Sequence, residues 1–191
     1  AKGNISLQSG ANTQIKAGTL TSKSGNVVVS AGQNVLIENG RDEQSSKLAA
    51  QENGGFSTTD KKIQSSTSQS IATDIQAGGN ILINSQAGDI KATHLNAEAQ
   101  DNIQITANQG NVKLLSDIDT DMKSTETVKK NTIQFKNRQS GYIDEDVAQT
   151  QLKAGKNVDI NAGKNIELQA NDIQAQDNIY IGNTQFERQT D

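Results

Sequence analysis

The sequence has no cysteine, no proline and no tryptophan, and aromatic residues make up only 3% of its 191 residues. Without cysteine the chain has no disulfide framework, no zinc finger and no thiol chemistry. So few aromatic side chains argue against a compact core of large residues. No run of 18 apolar residues occurs, so the sequence predicts no membrane span. The net charge of −4 comes from scattered charges of both signs, and the lack of a basic face argues against nucleic-acid binding.

A short motif recurs along the chain: glycine or aspartate, then asparagine, then an apolar–any–apolar triplet. Equivalent asparagines are 22 residues apart from Asn4 to Asn26, and each such period holds two short strands and a third, looser stretch. The alternation of apolar residues predicts the strands. We expect the glycine and asparagine ahead of each strand to form a tight turn, because both tolerate positive φ. The pattern is that of a repeat protein.

One 22-residue unit cannot bury its own apolar side, whereas stacked units can. We therefore predict an all-β chain folded as a right-handed parallel β-helix, or β-solenoid, of about six coils and roughly 29 Å in length. The absence of proline fits, because each proline would remove a hydrogen bond between strands. The apolar residues expected to point inward are Ile5, Leu7, Val27, Val29, Ile81, Ile83, Ile103, Ile105, Val158, Ile160, Ile166, Leu168, Ile179 and Ile181.

The recurrent asparagines predict a structural ladder, in which each side-chain amide bonds the next one in the stack. The six expected members are Asn4, Asn26, Asn80, Asn102, Asn157 and Asn178.

The repeat is interrupted twice within what we predict to be a single domain, 1–191. Asn34 to Asn80 and Asn111 to Asn157 are each 46 residues apart, where about 13 is usual. The insertions are predicted at about 40–73 and 117–150. Their abundance of serine, threonine and glutamine is compatible with an unstructured loop. A β-hairpin leaving the solenoid sideways is favoured, because unstructured loops of this length are uncommon. One hairpin for every two coils would also let successive hairpins join into one sheet.

The units at 77–83 and 154–168 resemble haemagglutinin repeats, which occur in filamentous haemagglutinin and in CdiA-type effectors of contact-dependent growth inhibition. The polar insertion containing 124–127 resembles the insertion-bearing class of these repeats. The resemblance covers essentially the whole chain. It implies a structural shaft segment of a long filament, secreted to the surface of a Gram-negative bacterium through an outer-membrane two-partner-secretion transporter. It also implies a parent protein that adheres to cells or carries a toxin to a competitor, of which this chain would be a fragment.

No catalytic, cofactor-binding or metal site is predicted. Asp117, Asp119 and Asp121 place carboxylates on alternate residues, but a calcium-binding EF-hand needs glycine and glutamate where Met122 and Val128 stand. His94 is the only histidine, so a Ser–His site would have one candidate base; we expect it to face the surface. Tyr180, between two isoleucines, is expected to point outward.

Three functions compete at this point. The first is a non-enzymatic shaft whose insertions contact a cell-surface receptor or glycan. The second is a β-helical polysaccharide-degrading enzyme, which is an analogy of fold alone and needs carboxylates gathered in one groove. The third is an ice-binding solenoid, which needs a regular threonine ladder. The residues between the apolar positions, such as Ser6, Val28 and Leu82, do not supply that ladder.

Overall fold

The computed structural model describes residues 1–183, which form an all-β structure with 72% of residues in strands and no helix in that range. The twenty strands are β1 (Ile5–Ser9), β2 (Thr13–Lys16), β3 (Thr19–Ser22), β4 (Val27–Ala31), β5 (Val35–Glu38), β6 (Gly40–Gly54), β7 (Ser57–Ile71), β8 (Thr73–Ala77), β9 (Ile81–Ser85), β10 (Ile90–Thr93), β11 (Leu95–Ala99), β12 (Ile103–Ala107), β13 (Val112–Leu115), β14 (Asp117–Asn131), β15 (Phe135–Ala148), β16 (Thr150–Ala154), β17 (Val158–Ala162), β18 (Ile166–Leu168), β19 (Asn171–Ala175) and β20 (Ile179–Asn183).

The short strands form three parallel sheets, and each sheet takes one strand from every triplet of short strands. Sheet A has the order β1-β4-β9-β12-β17-β20, sheet B has β2-β5-β10-β13-β18, and sheet C has β3-β8-β11-β16-β19. Five complete triplets and the first strand of a sixth therefore lie in the described residues. Parallel sheets stacked in this way are compatible with a β-helix.

The strands stack with like residues on like, which is how the small apolar side chains bury one another. In sheet A, Ile103 pairs with Ile81 on one side and with Val158 on the other, and Ile105 is flanked by Ile83 and Ile160 in the same way. All of these side chains are fully buried. Alternation carries the intervening residues outward, as β12 shows with its buried–exposed–buried pattern.

The predicted inward residues follow this alternation, but their burial depends on their row. Those of the middle rows are buried, whereas Ile5 and Leu7 of the first row are only partly buried. Leu168, Ile179 and Ile181 are substantially exposed, at 38%, 45% and 48%. They lie on β18 and β20, which are the last strands of sheets B and A in the described range, so no further row covers them there.

The third stretch of each period is a regular strand and not a looser segment, which corrects the sequence-based description. Sheet C consists of these strands. All but β3 carry one large apolar residue followed by alanine at their inward positions, as in Ile75 and Ala77 or Leu152 and Ala154. Alanine and threonine at the other inward positions weaken the apolar alternation, and for that reason the periodicity did not reveal the strand.

The glycines at the corners play a different role from the one expected. No described glycine has positive φ; the residues in the left-handed region are Ala17, His94 and Ala170. A Cβ on Gly155 would collide with the backbone carbonyl of Gln100 in the row below, and one on Gly110 would collide with that of Gly88. Glycine is therefore needed for the close approach of successive rows and not for an unusual backbone conformation.

The contacts divide the chain into two units. The first consists of Ala1–Gly40, Ile71–Asp117 and the chain from Ala148 onward, and it holds the three parallel sheets. The second consists of Arg41–Ser70 and Ile118–Val147. It is built from the two insertions, each of which is a pair of long strands. β14 and β7 pair antiparallel, with Asn131 opposite Ser57, and join the hairpins into one sheet with the order β15-β14-β7-β6, called sheet D below.

Candidate functional site

The six predicted ladder asparagines lie in one stack at the starts of the sheet A strands. Asn80 donates its backbone N–H and its side-chain amide to Asn26 Oδ1, at 2.7 and 3.2 Å. Asn102 does the same to Asn80 Oδ1, at 3.1 and 2.8 Å, and Asn157 to Asn102 Oδ1, at 3.2 and 3.0 Å. At the two ends, Asn26 N–H bonds Asn4 Oδ1 at 2.8 Å and Asn178 Nδ2 bonds Asn157 Oδ1 at 3.1 Å.

A second stack, which the sequence reasoning did not assign, lies at the starts of the sheet B strands. Its members are Asn12, Asn34, Asp89, Asn111 and Asn165. Asp89 accepts from the backbone and side-chain amides of the next residue in the stack, at 2.7 and 3.0 Å, so a carboxylate can replace an amide as acceptor. The 77-residue spacing of Asn34 and Asn111 was the signal that could have revealed this stack.

Both stacks hold one row of the first unit to the next. The side-chain oxygen of one row accepts hydrogen bonds from the asparagine of the following row. These bonds fix where each strand begins relative to the strand below it. Asn102, for example, uses one side-chain N–H and its Oδ1 for bonds to the two neighbouring rows. The contacts that the structure shows for the ladder are therefore contacts between rows.

The two insertions leave the first unit at the same corner, between the strand of sheet B and the strand of sheet C. In the triplets without an insertion, this corner carries a single left-handed residue: Ala17, His94 or Ala170, with φ of 45–47°. These residues are 77 and 76 positions apart, in step with the repeat. In the other two triplets the corner opens into the hairpin strands that begin at Gly40 and at Asp117.

A buried threonine lies at the return point of each insertion. Thr73 Oγ1 donates to the carbonyl oxygen of Glu38 at 2.8 Å, and Thr150 Oγ1 donates to that of Leu115 at 2.8 Å. Thr150 also accepts from the backbone N–H of Leu95 at 3.1 Å. Both threonines are fully buried. The corner thus stays hydrogen-bonded where the chain departs from it.

The three alternate aspartates have separate partners. Asp117 accepts from Asn39 Nδ2 at 2.5 Å, Asp119 from the backbone N–H of Ser70 at 2.5 Å, and Asp121 from the hydroxyl of Tyr142 at 3.3 Å. No group of three or more histidine, cysteine, aspartate or glutamate residues within residues 1–183 is arranged to hold a metal ion. The motif serves hydrogen bonding in strand β14 and at its start.

The other residues of interest, His94, Tyr180 and Tyr142, lie on different strands or turns. His94 is partly buried, and its backbone N–H donates to the carbonyl oxygen of Leu115 at 3.0 Å. Tyr180 is exposed, as expected from alternation. The negative charge of Asp121 raises the pKa of Tyr142 above 10.0 because it opposes ionisation of the phenol. These positions offer no shared chemistry.

Two ion pairs bridge successive rows of the first unit. Lys113 Nζ lies 2.8 Å from Glu167 Oε2, and Lys156 Nζ lies 2.6 Å from Asp101 Oδ1. The hydrogen bond to each carboxylate raises the pKa of the lysine above 10.5. Both pairs are well exposed, so each contributes little to stability.

The insertion-built sheet is the part of the molecule with the features of an interaction surface. The exposed large apolar side chains on its strands and turns are Leu48, Phe56, Ile71, Ile118, Met122, Ile133, Phe135, Tyr142, Ile143 and Val147. A groove of about 310 Å³ crosses β6, β7 and β14. It is lined by small side chains such as Ala50 and by charged ones, including Lys62 and Glu126, whose charged atoms are 4.0 Å apart.

No family model, curated protein or solved structure matches this chain. Within residues 1–183, no helix has the length and apolar character of a membrane span.

Proposed function

We propose that this chain is a structural shaft segment of a secreted filament on the surface of a Gram-negative bacterium, and that its three parallel sheets form a right-handed parallel β-helix. The filament serves adhesion or contact-dependent growth inhibition. The observation that carries the proposal is the stacking of one strand from each triplet in all three sheets, with an asparagine ladder through every row. Repeats of this kind extend a structure in one direction by nearest-neighbour contacts, which is what a shaft requires.

The sequence resemblance to haemagglutinin repeats supports the same function. It connects the motif around Asn80 and Asn157 with filaments that pass through an outer-membrane two-partner-secretion transporter. The lack of cysteine supports export, because no disulfide has to be formed or opened on the way. The right hand of the β-helix follows from the strong preference of parallel crossover connections.

Surface location is tested with antibodies raised against the purified chain. They should label intact cells of the bacterium that makes the protein, and the labelling should disappear when the gene for the outer-membrane transporter is deleted. Labelling that requires cell lysis would overturn the proposal.

Adhesion is tested by binding of the chain to bacterial and epithelial cells, beside a variant in which 40–73 and 117–150 are replaced by short turns. Circular dichroism and urea unfolding establish whether the variant keeps its parallel sheets. Binding by the intact chain but not by a folded variant would place recognition of a receptor or glycan on the insertions. Binding by neither would limit this segment to a scaffold. Release of reducing ends from polysaccharides would instead favour the alternative of a β-helical polysaccharide-degrading enzyme.

A further inference from the structure

The turns of both hairpins in sheet D lie at the same end of the sheet, and three large apolar side chains stand there in solvent. Asn131 lies opposite Ser57 in the pairing of β14 with β7, so the two turns are neighbours. Phe56 is 91% exposed, Ile133 93% and Phe135 68%. Single exposed apolar residues are ordinary, but three such residues at the same end of one sheet are a candidate contact surface. We call these three residues the tip patch.

The turn that carries Ile133 is held in a defined conformation. Asn131 Oδ1 accepts from the backbone N–H of Ile133 at 3.0 Å and from that of Gln134 at 2.5 Å. The backbone N–H of Asn131 donates to the carbonyl oxygen of Gln134 at 2.9 Å. This side-chain bonding is a common way for asparagine to fix a turn. Ile133 is therefore presented to solvent by the fold.

The charges of sheet D are segregated along its strands. The half that carries the turns, 48–63 and 125–140, has six basic side chains against three acidic ones. The other half, 41–47, 64–70, 118–124 and 141–147, has three basic against seven acidic. Lys130 Nζ lies 6.0 Å from the ring centroid of Phe135, so the cationic and apolar elements are adjacent. The basic side chains of the tip half are Lys61, Lys62, Lys129, Lys130, Lys136 and Arg138.

We propose that the tip patch and the basic side chains around it bind the surface of an anionic lipid membrane. Apolar side chains that enter the boundary between headgroups and acyl chains, together with basic side chains that remain among anionic headgroups, are the two signals that stable peripheral binding needs. Each lysine or arginine near such a surface adds about 1 kcal/mol of attraction. A soluble polyanion would gain nothing from Phe56 and Ile133, so the exposed apolar side chains favour a lipid surface. The proposal goes beyond the shaft function and does not depend on it.

The lack of tryptophan allows a direct test with the full chain. Phe56→Trp places the only tryptophan of the chain in the tip patch, where it is excited selectively at about 295 nm. Ile143→Trp places one at an exposed site, 66% accessible, in the acidic half of the same sheet. Vesicles of phosphatidylcholine with and without phosphatidylglycerol are added at low and high salt. We expect the emission of F56W to shift to shorter wavelength and to resist acrylamide quenching with anionic vesicles at low salt only. The emission of I143W should stay unchanged.

Matched triple variants measure the contribution of the patch in vesicle sedimentation. Phe56→Ser, Ile133→Ser and Phe135→Ser together should weaken binding at least about tenfold, because at least 1.4 kcal/mol of apolar transfer is lost. Ile118→Ser, Ile143→Ser and Val147→Ser together should leave binding unchanged. The proposal would be overturned if the chain bound neutral vesicles as well as anionic ones, or if both triple variants lost binding equally. It would also be overturned if the chain bound soluble polyglutamate but not anionic vesicles. Polyglutamate binding alone would identify an acidic protein segment as the partner.

Discussion

The hydroxyl of Thr150 donates a 2.8 Å hydrogen bond to the carbonyl oxygen of Leu115, although the two residues are 35 positions apart in the sequence. Leu115 ends the strand before the second insertion and Thr150 begins the strand after it. Thr73 and Glu38 form the same contact at the first insertion, also over 35 positions. One hydroxyl thus does at each open corner what a single left-handed residue does at the closed ones: it keeps the strands of sheets B and C joined.

Thr150→Val should lower the free energy of unfolding by about 1–3 kcal/mol, because it removes a buried hydroxyl and leaves the N–H of Leu95 without its acceptor. Thr73→Val should cost less, since its hydroxyl makes only the bond to Glu38 among those described. Urea unfolding measures both. Thr106→Val is the matched control, because Thr106 Oγ1 is buried and has no partner among the described residues. A loss in T106V as large as that in T150V would contradict the role of the hydroxyl.

Asn102→Leu should destabilise the chain by about 3 kcal/mol, because Asn102 makes one side-chain hydrogen bond to the row below and accepts two from the row above. Asn102→Asp should cost less, since an aspartate keeps the acceptor and Asp89 already fills the equivalent place in the second stack. Asn178→Leu loses a single bond at the end of the ladder and should cost about 1 kcal/mol. The ladder has no energetic role if the melting midpoint of N102L equals that of the parent chain.

Gly155→Ala should destabilise by about 1–3 kcal/mol, the usual range for forcing an added methyl into a packed site. The new Cβ would meet the carbonyl of Gln100, which belongs to the backbone of the neighbouring row. Gly10→Ala is the control, since a Cβ at Gly10 has nothing within 4 Å. Thermal unfolding of the two variants should separate clearly; equal midpoints would show that row spacing tolerates the extra carbon.

Tyr142 should ionise above pH 10.0, since Asp121 opposes the phenolate and accepts a hydrogen bond from the neutral phenol. The stabilisation of the folded state by this contact is present in full below pH 10.0 and is lost as the pH rises through the raised pKa. Absorbance titration in a Tyr180→Phe background follows Tyr142 alone. Asp121→Asn should lower the Tyr142 pKa. Asp144→Asn, which removes a weaker charge contribution, should lower it less. An unchanged Tyr142 pKa in D121N would rule out Asp121 as the cause of the raised pKa.

All sheet A strands, and the sheet B strands other than β2, could be predicted from the sequence because their inward positions carry large apolar residues such as Ile103 and Ile105. Strand β2 was not predicted because Thr13 stands at its first inward position. The six-asparagine stack could be predicted because its members recur after 21 or 22 residues, or after 54 or 55 where an insertion intervenes. The strands of sheet C were not predicted, because alanines such as Ala97 and Ala99 do not stand out in the sequence as buried residues. The second stack was not predicted, because the residues around Asp89 and Asn12 depart from the motif. The tip patch could not be predicted from the sequence, because Phe56 and Ile133 are 77 residues apart. Only the pairing of β7 with β14 brings them to the same end of sheet D.

The strand pairing of the first unit favours folding row by row. Each short strand pairs only with strands of the adjacent triplets, so its pairing does not wait for a distant triplet. The insertions lengthen the loop between paired strands from 22 residues, as for Asn102 and Asn80, to 55, as for Asn157 and Asn102. Because loop-closure entropy grows only logarithmically, this adds less than about 1 kcal/mol to the cost of docking the next row. A formed row can thus template its successor whether or not a hairpin intervenes, and growth from a single nucleus is the expected kinetics.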